Sequence, residues 1–348
     1  MRGRPQLVVE RPPADPAPEE VAPERVAGPL RSAGYSLPAA GEPLRVALVG
    51  QDTYFLACAL EAPSRWAEPA FEEFRSGADP GRLLDRLRAA DPHLVVVFRP
   101  ELIPAGLFAQ LGAVTIGWLT EPLPRAEDGS GAHPDQLRRL EYLGATDAGN
   151  FDRIVSFDPL MVTAAARHVP VWRSVPLPVA DSIYVERIES DPECRPLFIG
   201  RSTPHREEMI ERAKHVMELL HISHGTKAQE LSDALRRTTI SVNLHNEPYP
   251  SFENRVSLSL AAGRLLLSEP LSPTHGLEPG IDFIEVTNPW EVDQAIWAVK
   301  QYPEAYEPMR LRGRLKAELF RASRVYPRLV NAALHDLSVF GSQRSPGR

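Results

Sequence analysis

Strand-sized apolar runs alternate with helix-period stripes along most of the chain. Leu44–Val49 is a short apolar run ending at Gly50-Gln51-Asp52, the pattern of a buried strand and its turn. Gly81–Ala90 places Leu83, Leu84 and Leu87 on one helical face; Asp91-Pro92 interrupts, and Leu94–Phe98 is apolar throughout. Continuous runs of that kind suit strands of a parallel sheet covered on both faces. The rhythm repeats with a helix around Ile103–Leu111, strand Val114–Leu119, a polar segment rich in Gly and Asp, strand Arg153–Phe157, helix Leu160–Arg167 and strand Val171–Val175. Pro176-Leu177-Pro178 closes this half.

Asp181–Pro196 is polar and without clear period, so it reads as a linker. A second alternation starts at strand Leu197–Ile199. The next helix is capped by Thr203, with Pro204 at its first position, Glu207 and Glu208 in its first turn, and Met209, Ala213, Val216 and Leu220 as its apolar stripe. Helix Gln229–Arg237, strand Ile240–Leu244, a helix from Ser251 to about Ala262 stopped by Gly263, and strands Leu265–Ser268 and Asp282–Val286 follow. Asn288-Pro289-Trp290-Glu291 has capping-box form and opens a helix to about Gln301. Strands alternating with helices predict right-handed βαβ units, so the fold class is α/β, two doubly wound halves in tandem. The implied organisation is a disordered tail over 1–43, an N-terminal domain over 44–180 and a C-terminal domain over 181–304. A basic helical segment over 305–348 then packs back before a frayed end.

Composition adds proline to that picture. There are 35 in 348 residues, roughly twice the usual share of about 5%. Nine fall within residues 1–43, where charges are mixed and no apolar period is sustained, hence the expectation of disorder there. No continuous apolar region follows the early arginines, so that stretch does not read as a signal peptide. No apolar run approaches the roughly 18 residues of a spanning helix. Two isolated cysteines, Cys58 and Cys194, exclude a disulfide framework or four-cysteine zinc site and favour a cytoplasmic setting. A net charge of −7 argues against a general nucleic-acid binder.

Ligands of open α/β sheets bind beyond the carboxyl ends of the strands, which turns the strand assignments into site candidates. In the first half these are Gln51 and Asp52, Arg99 and Glu101, Glu121, and Asp158; in the second, Arg201 with Arg206, His245–Glu247, and Glu269. The densest stretch is His245–Arg255, where His245, Asn246, Ser251, Asn254 and Arg255 lead from a strand end into a helix start. Free N–H groups and the helix dipole attract an anion there, and Arg255 can clamp it. Gly200–Arg206 is a second strand-to-helix turn with two arginines but without a dinucleotide or P-loop signature. Each stretch also reads as an ordinary helix start with solvated arginines. His221 and His224, with His215 nearby, have ligand-like spacing but no adjacent acid, and no metal site is assigned. Neither cysteine nor Ser202 has a nucleophile context. Met309–Arg328 carries seven basic residues against Glu318, with Leu311, Leu315 and Leu319 as a stripe. It reads either as a helix packing on the first domain or as a peripheral contact with an anionic membrane.

Taken together, Ile240–His245, Asn254-Arg255-Val256, Leu260–Gly263, Leu265–Glu269 and Pro279–Asp282 resemble the C-terminal domain of GT-B glycosyltransferases. The likeness is to the branch similar to the spore-maturation protein CgeB and the family 1 and family 4 type transferases. It covers about residues 195–300; Gly117–Pro122 and Phe151–Ser156 resemble the first half more loosely. The resemblance implies two Rossmann-like domains facing a central cleft and a nucleoside-diphosphate sugar held mainly by the second. It further implies an acceptor on the first, and transfer without a metal ion or further cofactor, commonly with retention. Gly200, Arg201, Arg206, His245, Asn246, Ser251, Asn254, Arg255 and Glu269 are then the donor-side candidates. Glu121 or Asp52 would position or deprotonate the acceptor hydroxyl. One departure stands out: the glutamate that such families carry on this helix to bind the donor ribose aligns with Leu258, leaving Glu253 or Glu269 to substitute. A non-catalytic protein of the same fold that binds a nucleotide sugar or a partner is therefore the alternative. A sugar-nucleotide epimerase is a third reading, with fewer cleft acids and histidines than it needs.

Overall fold

The computed structural model describes residues 7–8, 23–188, 195–223 and 228–344. Most of the first 22 residues, Cys194 with its part of the linker, His224 and the last four residues lie outside that set. In chain order the strands are β1 (Leu7–Val8), β2 (Leu44–Gly50), β3 (Ala67–Glu73), β4 (Leu94–Phe98), β5 (Val114–Leu119), β6 (Arg153–Ser156), β7 (Val171–Ser174), β8 (Arg187–Ile188), β9 (Pro196–Ile199), β10 (Leu220–Ile222), β11 (Ile240–Asn243), β12 (Leu265–Ser268) and β13 (Ile284–Glu285). The helices are α1 (Pro23–Ser32), α2 (Asp52–Phe55), α3 (Pro80–Ala90), α4 (Pro134–Leu143), α5 (Val162–Ala165), α6 (Pro204–Val216), α7 (Ala228–Arg236), α8 (Asn254–Ala261), α9 (Pro289–Gln301), α10 (Pro303–Lys316) and α11 (Ala322–Phe340).

The chain divides into two compact units. The N-terminal unit takes Asp15–Pro178 with Ala322–Arg348, and the C-terminal unit Val179–Arg321 with Met1–Ala14. Each is built on a wholly parallel sheet, in the order β3-β2-β4-β5-β6-β7 in the first and β10-β9-β11-β12-β13 in the second. β1 pairs only with β8, antiparallel. In each sheet the chain lays its second strand on one side of its first and its third on the other. The strand order therefore reverses between β2 and β4, and between β9 and β11. Such reversals open a crevice at the carboxyl ends of the strands.

Burial explains why some elements were legible. Every residue of β4, β5, β11 and β12 is buried, so these strands are mostly apolar, β4 without a break, as expected of a sheet covered on both faces. β3, absent from the sequence-based assignment, is an edge strand of mostly part-exposed residues with Pro69 inside it. A proline is tolerated there because an edge strand leaves some N–H positions unpaired. The helix expected over Ile103–Leu111 does not form. Pro104 and Gly106, at φ 70°, break it, and Asn150 takes over its polar groups by accepting from Phe108 N (3.0 Å) and donating to the Pro104 carbonyl (2.9 Å).

Residues 23–43 are another difference from the expected tail. α1 packs along α11, Leu30 is fully buried in the N-terminal core, and the Tyr35 hydroxyl donates to Asp152 at 2.5 Å. Proline and charge hid this segment because its fixing contacts are all distant in sequence. A column of rings runs through the same core: Phe55 on Phe98 (4.8 Å), Phe98 on Trp118 (6.0 Å) and Trp118 on Tyr326 (6.1 Å). Each such pair adds about 0.5–1.5 kcal/mol beyond burial.

The basic segment splits rather than forming one amphipathic helix. α10 stays in the C-terminal unit, while α11 belongs to the N-terminal unit, where the Tyr326 hydroxyl donates to the Cys58 carbonyl at 2.8 Å. Arg310 pairs with Glu307 (2.7 Å), Arg312 with Asp282 (3.2 Å), Arg314 with Glu318 (2.8 Å), and Arg321 with both Glu318 (2.7 Å) and Asp181 (2.9 Å). These charges are neutralised within the fold, and Leu315 and Leu319 are exposed instead of forming a buried stripe. Among the described residues no helix is long and apolar enough to cross a membrane.

Leu30→Ala should lower the stability of the N-terminal unit by about 2–5 kcal/mol, the usual cost of a buried leucine truncation. Urea unfolding followed by tryptophan fluorescence measures it; an unchanged midpoint would show that α1 does not contribute to the core.

Candidate functional site

In the C-terminal unit the crevice between β9 and β11 is floored by Phe198. The Arg206 guanidinium lies 5.4 Å and that of Arg255 5.0 Å from the Phe198 ring centroid. Thr203 caps α6 as the sequence predicts, its hydroxyl accepting from Arg206 N at 3.3 Å, and this cap aims the Arg206 side chain under the loop that follows β11. There Arg206 donates to the Leu244 and His245 carbonyls (3.0 Å each), to the Arg201 carbonyl (3.2 Å) and to the Glu253 carboxylate (3.1 Å). Asn246 Oδ1 is a further acceptor at 3.4 Å. All five N–H groups of a guanidinium are thereby engaged. Burial, reinforced by the nearby Arg255, pulls the Arg206 pKa down to about 10, still cationic at neutral pH. Arg206 therefore positions the loop and does not present itself to a ligand.

Arg255, in the first turn of α8, is also drawn inward. It donates to Asn243 Oδ1 (3.2 Å), the Leu244 carbonyl (2.9 Å), the Ile199 carbonyl and Glu253 (2.6 Å). Gly200 leaves room for it: a Cβ there would come within 2.6 Å of Arg255 Nη1. Arg201 differs from both. Exposed at the crevice mouth, it is fixed only through Nε, which donates to Asn246 Oδ1 at 2.7 Å, and its two terminal amino groups have no partner among the described residues. Two guanidiniums, Arg206 and Arg255, thus share one carboxylate, Glu253, at the open end of a parallel sheet, and Arg201 stands beside them on Asn246.

The helix start differs from the sequence expectation. α8 begins at Asn254, not Ser251, and Glu253 in the cap position makes no side-chain capping bond. Ser251 is buried and serves His245 instead. The His245 Nε2 faces the Pro270 carbonyl (2.9 Å) and so carries the proton, while Nδ1 accepts from the Ser251 hydroxyl (3.1 Å). Burial lowers the His245 pKa, keeping this ring neutral. Glu269 accepts from His245 N (2.6 Å) and pairs with His205 Nε2 (2.8 Å), a partner the sequence reading missed because only the fold brings α6 to the end of β12. Leu258 is buried within α8. Glu253 and Glu269, the two candidates to replace the ribose-binding glutamate, are both committed to internal partners. His221 packs on Phe198 at 5.0 Å and binds the Gly200 carbonyl, and among the described residues no group of three His, Cys, Asp or Glu could hold a metal ion.

In the N-terminal unit the crevice lies between β2 and β4. Asp52 opens α2, its N–H donating to Glu73 Oε2 at 2.6 Å. Glu121 follows β5 and is held by Arg139 (2.7 Å) and Arg99 (3.6 Å). Arg99 Nε donates to Glu101 at 2.8 Å. Glu101, almost fully buried, has its pKa raised by desolvation despite that arginine. Glu121 is thus an ion-paired carboxylate rather than a free base.

No protein-family model and no curated protein matches the sequence. Solved structures do resemble the fold. HepE of Anabaena, in complex with UDP-glucose, superposes with a TM-score of 0.53 at 9% identity, over 83% of this chain and 99% of that chain. Sucrose-phosphate synthase from Thermosynechococcus elongatus gives 0.53 at 10% identity, over 85% and 100%. AviGT4, a glycosyltransferase involved in avilamycin A biosynthesis, gives 0.53 at 14%, over 85% and 98%. Identities this low establish the fold alone: two Rossmann-like parallel α/β sheets, as in the GT-B glycosyltransferases.

Arg206→Ala should destabilise the C-terminal unit by about 3–5 kcal/mol, because it strands buried carbonyls and Glu253. Arg201→Ala should change stability by no more than about 0.5 kcal/mol. Thermal and urea unfolding of the pair separates the positioning arginine from the presented one.

Proposed function

We propose that the chain is a glycosyltransferase that takes a nucleoside-diphosphate sugar at the strand ends of its C-terminal unit. The observation that carries this reading is the excess of guanidinium over carboxylate at the β9/β11 crevice, with the Arg201 amino groups unoccupied and the α8 start uncapped by a side chain. A diphosphate suits that arrangement: charge-assisted bonds from Arg201, the remaining Arg255 donor and the helix N-terminus match its oxygens. The UDP-glucose seen in HepE supports the same ligand class here.

In this reading the arginines stabilise the departing diphosphate as the bond to the sugar C1 breaks and the acceptor oxygen bonds to C1. Charge neutralisation falls to Arg201, Arg255 and the α8 start, with no metal ion assigned. The ion-paired state of Glu121 makes it an orienting group, so the acceptor proton passes to the leaving diphosphate. That transfer on one face of the sugar retains configuration. Asp52, its N–H held by Glu73 at the strand-end edge that also carries Glu121, is the second group to position the acceptor hydroxyl. The likeness of residues 240–282 to the CgeB-like branch agrees with this assignment. Leu258 favours one second reading, a protein of this fold that binds a nucleotide sugar without turning it over.

Thermal unfolding with UDP, GDP, ADP and TDP and their glucose conjugates, followed by an assay of sugar release, tests both. At 100 times its Kd the right nucleotide stabilises by about 2.7 kcal/mol, and Arg201→Ala should weaken it by about 1–3 kcal/mol. Binding without sugar release would select the non-catalytic reading; no stabilisation by any nucleotide would sink the proposal.

A further inference from the structure

The strand-end cluster of the N-terminal unit has an electrostatic character of its own. Arg99, the first residue after β4, adopts left-handed backbone at φ 67° and ψ 68°, a conformation that costs a non-glycine residue of order 1 kcal/mol and collects at ligand sites. Its amide is held by the Trp118 carbonyl at 3.1 Å. The side chain is pinned through one edge only, Nε donating to Glu101 at 2.8 Å and lying 3.6 Å from Glu121. The paired terminal amino groups of this one-third-exposed guanidinium have no partner among the described residues. Around it stand Arg139, joined to Glu121 and to Asp135 (2.9 Å), and the exposed Tyr54 ring, whose phenol lies within Coulombic reach of Arg99.

The charges decide what ligand this suits. Arg99, Arg138 and Arg139 are matched by Glu101, Glu121 and Asp135, so an anion would approach a surface with no positive excess. A neutral polyol meets a different surface. Vicinal hydroxyl oxygens can accept from the two parallel Arg99 amino groups, their protons can reach Glu121, and an apolar sugar face can lie on Tyr54. We propose that Arg99, with Glu121 and Tyr54, forms an acceptor subsite for an uncharged sugar, discriminating against phosphorylated or uronic acceptors. This rests on the transferase reading above and names the class of its acceptor.

The test uses the full chain with saturating UDP and ligand-observed NMR. Neutral methyl glucoside, galactoside and mannoside are compared with methyl glucuronide and glucose 6-phosphate. At least one neutral glycoside should show saturation transfer while the charged pair does not. Arg99→Lys, which keeps the charge and loses the paired donors, should weaken that binding about tenfold or more, as sites built to bind hydroxyls do when a partner is lost. UDP affinity should stay unchanged. Glu121→Gln, which removes the carboxylate that takes the sugar protons, should cost a smaller factor and reads the subsite if Arg99→Lys does not fold. Preference for the charged glycosides, unchanged binding in both variants, or no glycoside bound while UDP binds normally would each overturn the subsite. Loss of UDP binding with glycoside binding intact would instead overturn the nucleotide reading and leave the subsite supported.

Discussion

Parallel pairing is the constraint on which everything else in this molecule depends. A parallel strand cannot be joined to its neighbour by a tight turn, so each connection crosses a face of the sheet, usually as a helix. Both faces are thereby covered, the strands become largely apolar, and most charged groups are left to the strand ends. All carboxyl ends then emerge at one edge. In both sheets the chain also reverses its direction of growth after the second strand, so two loops part there: after β2 and β4 in one unit, after β9 and β11 in the other. The arginines and carboxylates of both candidate sites lie on the loops and helix starts at that edge, at those partings or one strand along from them.

The two edges have been given opposite electrostatics. At the β9/β11 edge Arg206 is spent on backbone carbonyls, which holds the loop after β11 in place, and the surplus positive charge is carried outward by Arg201. The burial that lowers the Arg206 pKa to about 10 is a cost, offset by its many acceptors and by Glu253. At the β2/β4 edge carboxylates balance the arginines, and what is exposed is the unpartnered edge of Arg99 with the Tyr54 ring beside it. A diphosphate and a polyol ask for these two environments respectively. Opposite demands of that kind are expected where a charged leaving group and a neutral nucleophile must be bound by one chain.

What the sequence disclosed follows from burial. β2, β4, β5, β11 and β12 were legible because both their faces are covered, and α6 and α9 because Thr203 and Asn288 cap them locally. β3 was hidden by its half-exposed edge position. α1 was hidden because Leu30 and Tyr35 find their partners in α11 and at Asp152, over a hundred residues away. At the site, the residue types were readable and their roles were not. Arg201, Arg206 and Arg255 look alike in sequence, and only the count of occupied donors separates the one that is presented from the two that are turned inward. His205 carried no local signal at all.

Leu258 gains its meaning from the same count. It is buried in the second turn of α8, on a helix whose Ser259 meets Ser241 at 2.6 Å. A carboxylate there would need a donor to repay desolvation, and Arg206 and Arg255 are already committed to Glu253 and to backbone carbonyls. The leucine is therefore consistent with its surroundings: it packs within α8 while Glu253 is turned inward to fix the arginines. In the proposed reading, donor recognition then rests chiefly on the diphosphate, which every sugar nucleotide shares. The burden of specificity shifts toward the sugar being transferred and the hydroxyl that receives it. That shift gives the charge-balanced cluster around Arg99 its importance, because a site that reads its donor through a common group must read its acceptor more closely.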